Sequence, residues 1–146
     1  MKSKNDKKKN ISDMRKICWG FIGCGEVTEK KSGPAFNEVE GSSVVAVMSR
    51  SAEKAKSYAK RHDIPRWYTD PQELIDDPDV NAVYIATPPS SHATFAIMAM
   101  KAGKHVYLEK PTSHNPAENE LLVRAAVKYG KVIQVGNQRR SWPNII

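Results

Sequence analysis

Six short apolar runs, each separated from the next by a stretch with helical spacing or turn residues, constrain this chain more than any other feature of its sequence. The runs cover residues 17–22, 44–48, 66–68, 82–86, 105–108 and 132–135. Several are continuous rather than alternating, as expected of strands covered on both faces of a parallel sheet. The helical stretches have readable ends. Asp70-Pro71-Gln72-Glu73 offers an N-cap acceptor, a proline at the first helical position and a glutamate at the third. Asn115-Pro116-Ala117-Glu118 repeats the arrangement, and the helix it opens carries Leu122, Ala125, Ala126 and Tyr129 before Gly130. Two further helices span 51–62 and 91–102, the second stopped by Gly103. Strands alternating with helices mean βαβ units, and right-handed crossovers favour a doubly wound, mostly parallel six-stranded α/β sheet in the order 3-2-1-4-5-6.

Composition narrows the class further. The chain has 146 residues, 40% of them hydrophobic and 27% charged, which suits one soluble domain with a real core. No run of apolar residues is long enough to span a membrane. The net charge of +7 is concentrated at the start, where Lys2, Lys4, Lys7, Lys8 and Lys9 face Asp6 alone. Residues 1–14 therefore read as a disordered basic arm, and the mildly basic remainder argues against a nucleic-acid surface. No apolar stretch follows those lysines, so the arm is not a secretory signal. Cys18 and Cys24 form neither a disulfide framework nor a zinc site, and no metal site is expected. Reduced, packed cysteines point to a cytoplasmic protein.

The chemistry-bearing motifs sit where the strands end. Gly23-Cys24-Gly25-Glu26-Val27-Thr28 follows the first strand directly, and its two glycines allow a tight turn and the close approach of a diphosphate. Thr28 replaces the third glycine of the usual fingerprint, and an ordinary strand-to-loop turn is the plainer alternative. The second strand ends in Met48-Ser49-Arg50-Ser51 without the carboxylate that would pair with a ribose 2′-hydroxyl. Ser49 and Arg50 suit a 2′-phosphate, because guanidinium meets phosphate in two-pronged geometry. The alternative is a solvated Arg50, so the cofactor is NADP or NAD, with NADP favoured. Ala86-Thr87-Pro88-Pro89-Ser90-Ser91-His92 follows the fourth strand, Glu109-Lys110-Pro111 the fifth, and Gly136-Asn137-Gln138-Arg139-Arg140 the sixth.

These four landmarks, in this order, resemble the glucose–fructose oxidoreductase, inositol dehydrogenase and MocA (Gfo/Idh/MocA) family, and the resemblance runs from about Arg15 to the end. It implies a Rossmann-type dinucleotide-binding domain over residues 15–140. Gly23, Cys24, Gly25, Glu26 and Val27 would then approach the cofactor diphosphate. Thr87, Pro88 and His92 would line the cofactor cleft, and Glu109 would lie near the nicotinamide ribose. Lys110 would reach the hydride-transfer site as the catalytic residue, while Asn137, Gln138 and Arg139 would close the cofactor's far side. A lysine in that place can stabilise a developing alkoxide. On its own it would read as a surface lysine before a turn proline.

The function implied is hydride transfer between a nicotinamide cofactor and a polyol, sugar or inositol-like alcohol. Two alternatives stay open, a non-catalytic nucleotide-binding sensor and a family member that uses nicotinamide transiently in glycoside cleavage. The resemblance also implies a second α+β domain carrying an aspartate and a histidine, through which the protein would form a homo-oligomer. Residues 141–146 read as the start of the connection to it, so a truncated chain is expected over a complete small protein. His62, His105 and His114 read as structural or solvated, and Trp67 and Trp142 as packing residues.

Overall fold

The computed structural model describes residues 16–25, 35–110 and 116–136. The basic arm, Glu26, Val27, His114, the Asn115 cap, Asn137, Gln138, Arg139 and residues 141–146 lie outside them. Six strands form one sheet: β1 (Ile17–Ile22), β2 (Ser42–Met48), β3 (Arg66–Tyr68), β4 (Ala82–Ile85), β5 (His105–Leu108) and β6 (Ile133–Val135). Their order is β3-β2-β1-β4-β5-β6, as expected, and every pairing is parallel rather than mostly so.

Helices cover both faces, and the alternation of side chains along each strand decides which residue meets which helix. Phe21 and Tyr84 point to one face, where they pack with Val47, with Phe36 of α1 (Ala35–Glu38), and with Tyr58 and Ala59 of α2 (Ala52–Arg61). Their neighbours Ile22, Val83 and Ile85 point the other way. There they bury against Leu74 and Ile75 of α3 (Pro71–Ile75), Ala96 and Met100 of α4 (His92–Lys101), and Leu122 of α5 (Pro116–Tyr129). Small alanines at 93, 96 and 99 let α4 lie close to the sheet.

Local chemistry sets the helix ends as the sequence suggests. Ser51 caps α2, its hydroxyl accepting from the Lys54 N–H, and Asp70 caps α3 by accepting from the Gln72 N–H with Pro71 behind it. Gly103 and Gly130 follow α4 and α5 with positive φ. One element was not expected: α1 is a single turn of four residues, too short for a periodic signal. β2 starts two residues earlier than its apolar run, because Ser42 and Ser43 pair with Ile17 and Cys18 despite being polar.

Candidate cofactor cleft

Each landmark begins one residue beyond its strand, and a backbone rung holds it there. Gly23 N–H donates to the Met48 carbonyl (2.9 Å), Ser49 to Tyr68 (3.1 Å), Ala86 to Ile22 (3.0 Å), Glu109 to Ile85 (3.1 Å) and Gly136 to Leu108 (2.7 Å). The sheet's hydrogen bonding thus continues one step past the strands and lines the landmarks along a single rim. Ligands of open α/β sheets bind at this carboxyl edge.

Between β1, β2 and β4 the rim opens into a cleft of about 550 Å³. Of the residues expected to contact cofactor, it gathers Gly23, Gly25, Ser49, Arg50, Thr87 and Pro88. Gly23 is required there by its backbone: φ is +108°, and a Cβ would stand 3.1 Å from the Ala86 carbonyl oxygen. Its N–H is committed to Met48, so its contribution to the cleft is shape rather than a donor.

The β2 wall is stiffened by serines. Ser51 N–H donates to Ser49 Oγ (3.3 Å), and Ser51 Oγ accepts from Lys54 N–H (3.3 Å). This puts Lys54, on the first turn of α2, into the cleft beside exposed Arg50. Sequence reasoning missed Lys54; its signal was the N-cap, which aims the residue three positions on back toward the strand end. No carboxylate lines this cleft among the described residues, while Arg50 and Lys54 do.

The β4 wall is braced from behind. Ser91 Oγ lies 2.7 Å from Thr87 Oγ1 and 2.9 Å from the Pro88 carbonyl oxygen that accepts from it. His92 is fully buried, and its Nε2 meets the Thr87 carbonyl oxygen at 2.7 Å. His92 therefore supports the wall rather than lining it, because the helix it starts turns the imidazole into the core. Ser90, Ser91 and Phe95 line the cleft as well, beyond the residues expected from sequence.

The remaining expected residues are spread around this cleft. Cys24 Sγ donates to the Met48 carbonyl (3.5 Å), and Cys24 borders an adjoining cavity of about 360 Å³ with Glu53, Lys54, Ser57 and Arg61. Glu109 and Lys110 stand at the next strand end, off β5. Glu109 is half-buried, and its carboxylate accepts a hydrogen bond from the hydroxyl of Tyr84. Lys110 is exposed, and the enclosing surface that alkoxide stabilisation would require is not formed by the described residues. A larger groove of about 660 Å³ runs past Lys16, Trp19, His105 and Val132 on the amino side of the strands. It holds none of the landmarks. Among the described residues there is no cluster able to hold a metal ion and no helix long and apolar enough to cross a membrane.

Comparison with known proteins agrees with this geometry. Residues 17–137 match the family described as the oxidoreductase family with an NAD-binding Rossmann fold, GFO_IDH_MocA. An oxidoreductase of Formosa agariphila is 48% identical over 128 residues, covering 88% of this chain and 40% of that protein. The scyllo-inositol 2-dehydrogenase (NADP(+)) of Bacillus subtilis is 34% identical over 128 residues, covering 88% of this chain and 39% of that protein. A 3-ketoreductase from Actinomadura kijaniata, solved with NADP and TDP-benzene, superposes with a TM-score of 0.78 at 30% identity, over 86% of this chain and 40% of that one. The chain spans about 40% of the length of the relatives it matches.

Proposed function

Because the chain belongs to the Gfo/Idh/MocA oxidoreductase family, with that family's NAD(P)-binding Rossmann domain, we propose that it holds NADP in the cleft between β1, β2 and β4. There it would serve hydride transfer to or from a polyol, sugar or inositol-like alcohol. The observation that carries this reading is the pairing of the Gly23–Gly25 turn with a cationic, carboxylate-free wall at Ser49, Arg50, Ser51 and Lys54. The turn brings backbone close enough for a diphosphate, and the wall suits a 2′-phosphate. An NAD site would place an acidic acceptor there for the ribose hydroxyls. Relatives support the same preference, since one is named for NADP(+) and another was solved with it.

In this reading Thr87 and Pro88 flank the ribose nearest the nicotinamide, Glu109 reaches that ribose, and Lys110 faces the reacting alcohol. The nicotinamide supplies the hydride chemistry when bound. This chain's residues hold its phosphates, shape its path along the rim, and present the Lys110 ammonium to the substrate oxygen. Glu26, Val27, Asn137, Gln138 and Arg139 complete the proposed contacts. The alcohol class follows the inositol and sugar-like substrates named for the relatives. Titration of NADP and of NAD into the chain, followed by calorimetry, tests the proposal. NADP should bind about tenfold or more tightly than NAD, the strength of one guanidinium–phosphate contact. Equal affinities would remove the phosphate reading, and no binding of either would remove the site. With about 40% of its relatives' length, the chain alone should bind cofactor without steady-state polyol oxidation.

A further inference from the structure

Glu109 and Tyr84 belong to different strand ends, yet they meet. Tyr84 is the third residue of β4 and pairs in register with Tyr107 of β5, two residues before Glu109. Its ring lies among Phe21, Phe36 and Tyr107, with centroids 5.1, 4.9 and 5.5 Å away. The side chain is fully buried, so its hydroxyl can neither reach water nor swing elsewhere without unpacking the layer. That hydroxyl donates to Glu109 Oε1. A buried tyrosine hydroxyl needs a partner, and a phenylalanine would fill the same space without one. The hydroxyl therefore acts on the carboxylate more than on the core.

We propose that Tyr84 is a positioning residue that holds the Glu109 carboxylate at the rim where the ribose next to the nicotinamide arrives. The proposal rests on the cofactor reading above, which puts Glu109 against that ribose. A half-buried carboxylate beside an exposed lysine could take several rotamers; a donor fixed beneath it from the aromatic layer selects one. Glu109 then presents its carboxylate to a ribose hydroxyl in a set direction, and Lys110, the next residue, inherits a fixed start to its side chain.

The test uses Tyr84→Phe, Glu109→Gln and the double variant of this chain, with Tyr107→Phe as a probe of the same aromatic layer. The first measurement is the side-chain carboxyl 13C resonance of Glu109, assigned by its loss in Glu109→Gln. It should move clearly further in Tyr84→Phe than in Tyr107→Phe, whose phenol feels the Glu109 charge. The second is NADP affinity. Tyr84→Phe should weaken NADP about three- to tenfold, in the range of one hydrogen bond to a charged group, and have little further effect once Glu109 is glutamine. An unmoved resonance overturns the proposal and leaves the cofactor reading intact. Equal weakening by Tyr84→Phe in both backgrounds, or by Tyr107→Phe, overturns it too, because the effect would then come from packing. NADP affinity unchanged by Glu109→Gln, with the resonance still shifted by Tyr84→Phe, would instead show that Glu109 does not touch the cofactor. That removes the reading on which the positioning role stands.

Discussion

The cleft and the β3–β4 corner use the same kinds of residue to opposite ends. At the corner, Asp77 is 5% exposed and saturated. It accepts from Arg66 Nε (2.7 Å), Tyr68 Oη (2.8 Å) and Asp79 N–H (2.9 Å). Lys104 closes the corner from the far side, its ammonium donating to the carbonyls of Asp77 and Val80. In the cleft, Arg50 and Lys54 line a cavity with no carboxylate on its walls among the described residues. Positive charge that is matched inside the fold holds the fold; positive charge lining a cavity is what the proposed phosphate contact would use. The two regions lie on either side of α3, so the contrast is a matter of local partners rather than of overall charge.

Titration reflects the difference. Burial pushes the Asp77 carboxyl up, but the hydrogen bonds from Asp79, Tyr68 and Arg66 outweigh it and hold the group below the usual aspartate range. Burial lowers the Lys104 ammonium, partly offset by Asp77 and Asp76. A carboxyl lowered by folding contributes stability that is fully present above its unfolded value, near 4, and is lost as the pH falls through its folded one. Asp77→Ala should give the largest loss in the molecule among these polar sites. It strands Tyr68 and the Asp79 N–H and leaves Arg66 with the Asp79 carboxylate alone, at a cost of about 3 kcal/mol. Urea denaturation measures it, and NADP affinity of the folded fraction should be unchanged. A variant that keeps its stability but loses cofactor would erase the division between the regions.

Much of this contrast could be read in the sequence, though unevenly. The six apolar runs and the capped helices carry their own periodicity, and right-handed crossovers with the doubly wound pattern favoured the sheet order that is found. The place of Gly23, Ser49, Arg50, Thr87 and Pro88 at one edge was legible because each stands within three residues of a strand's end, and parallel strands deliver their ends to one edge. Lys54 was not, since residues 49–53 separate it from the strand; its place depends on the Ser51 cap. His92 was assigned to the cleft by its motif, but a motif does not say which way the first residue of a helix turns its side chain. The Tyr84–Glu109 contact and the Asp77 corner join residues far apart in sequence. Nothing in their local pattern distinguishes them from any tyrosine in a strand or aspartate in a turn.

The glycine turn serves fold and cleft together, because its backbone takes a conformation that glycine reaches freely and other residues do not. Gly23→Ala puts an L side chain at φ +108° and a methyl 3.1 Å from the Ala86 carbonyl. The expected cost is about 2 kcal/mol, read as a lowered urea midpoint, with weakened binding of NADP and NAD alike. Unchanged stability would mean that the turn relaxes freely and that its shape is not built into the sheet.

A smaller and more selective effect is expected from the cations. Arg50→Ala and Lys54→Ala should each weaken NADP by about tenfold or somewhat more, corresponding to about 1–2 kcal/mol at a partly exposed contact. NAD binding should change little, and urea midpoints should stay in place because neither residue is used by the fold. The two substitutions touch one phosphate, so the double variant should lose less than the product of the two. Equal losses for NADP and NAD would show that these residues read charge in general rather than the 2′-phosphate.

The smallest effect returns to the structural side of the sheet. His105 opens β5, and its Nδ1 accepts from the Val132 N–H at 3.0 Å, joining the start of β5 to the residue before β6. Only an unprotonated Nδ1 can accept. Burial, and then the charge of Lys131, lower the imidazole below the ordinary histidine value. A base lowered by folding contributes stability that is fully present above its unfolded value, about 6.5. That stability fades as the pH falls through this value toward the folded one, because the unfolded chain then binds the extra proton. The urea midpoint should therefore decline slightly on acidification from pH 7.5 to about pH 5.5, well before the Asp77 window is reached. His105→Ala should remove that decline and lower the midpoint a little at neutral pH. NADP affinity, read at fixed phosphate ionisation above pH 7, should not notice the substitution. A midpoint flat across the window in the native chain would mean that solvent already satisfies Val132 and that the β5–β6 junction does not depend on the imidazole.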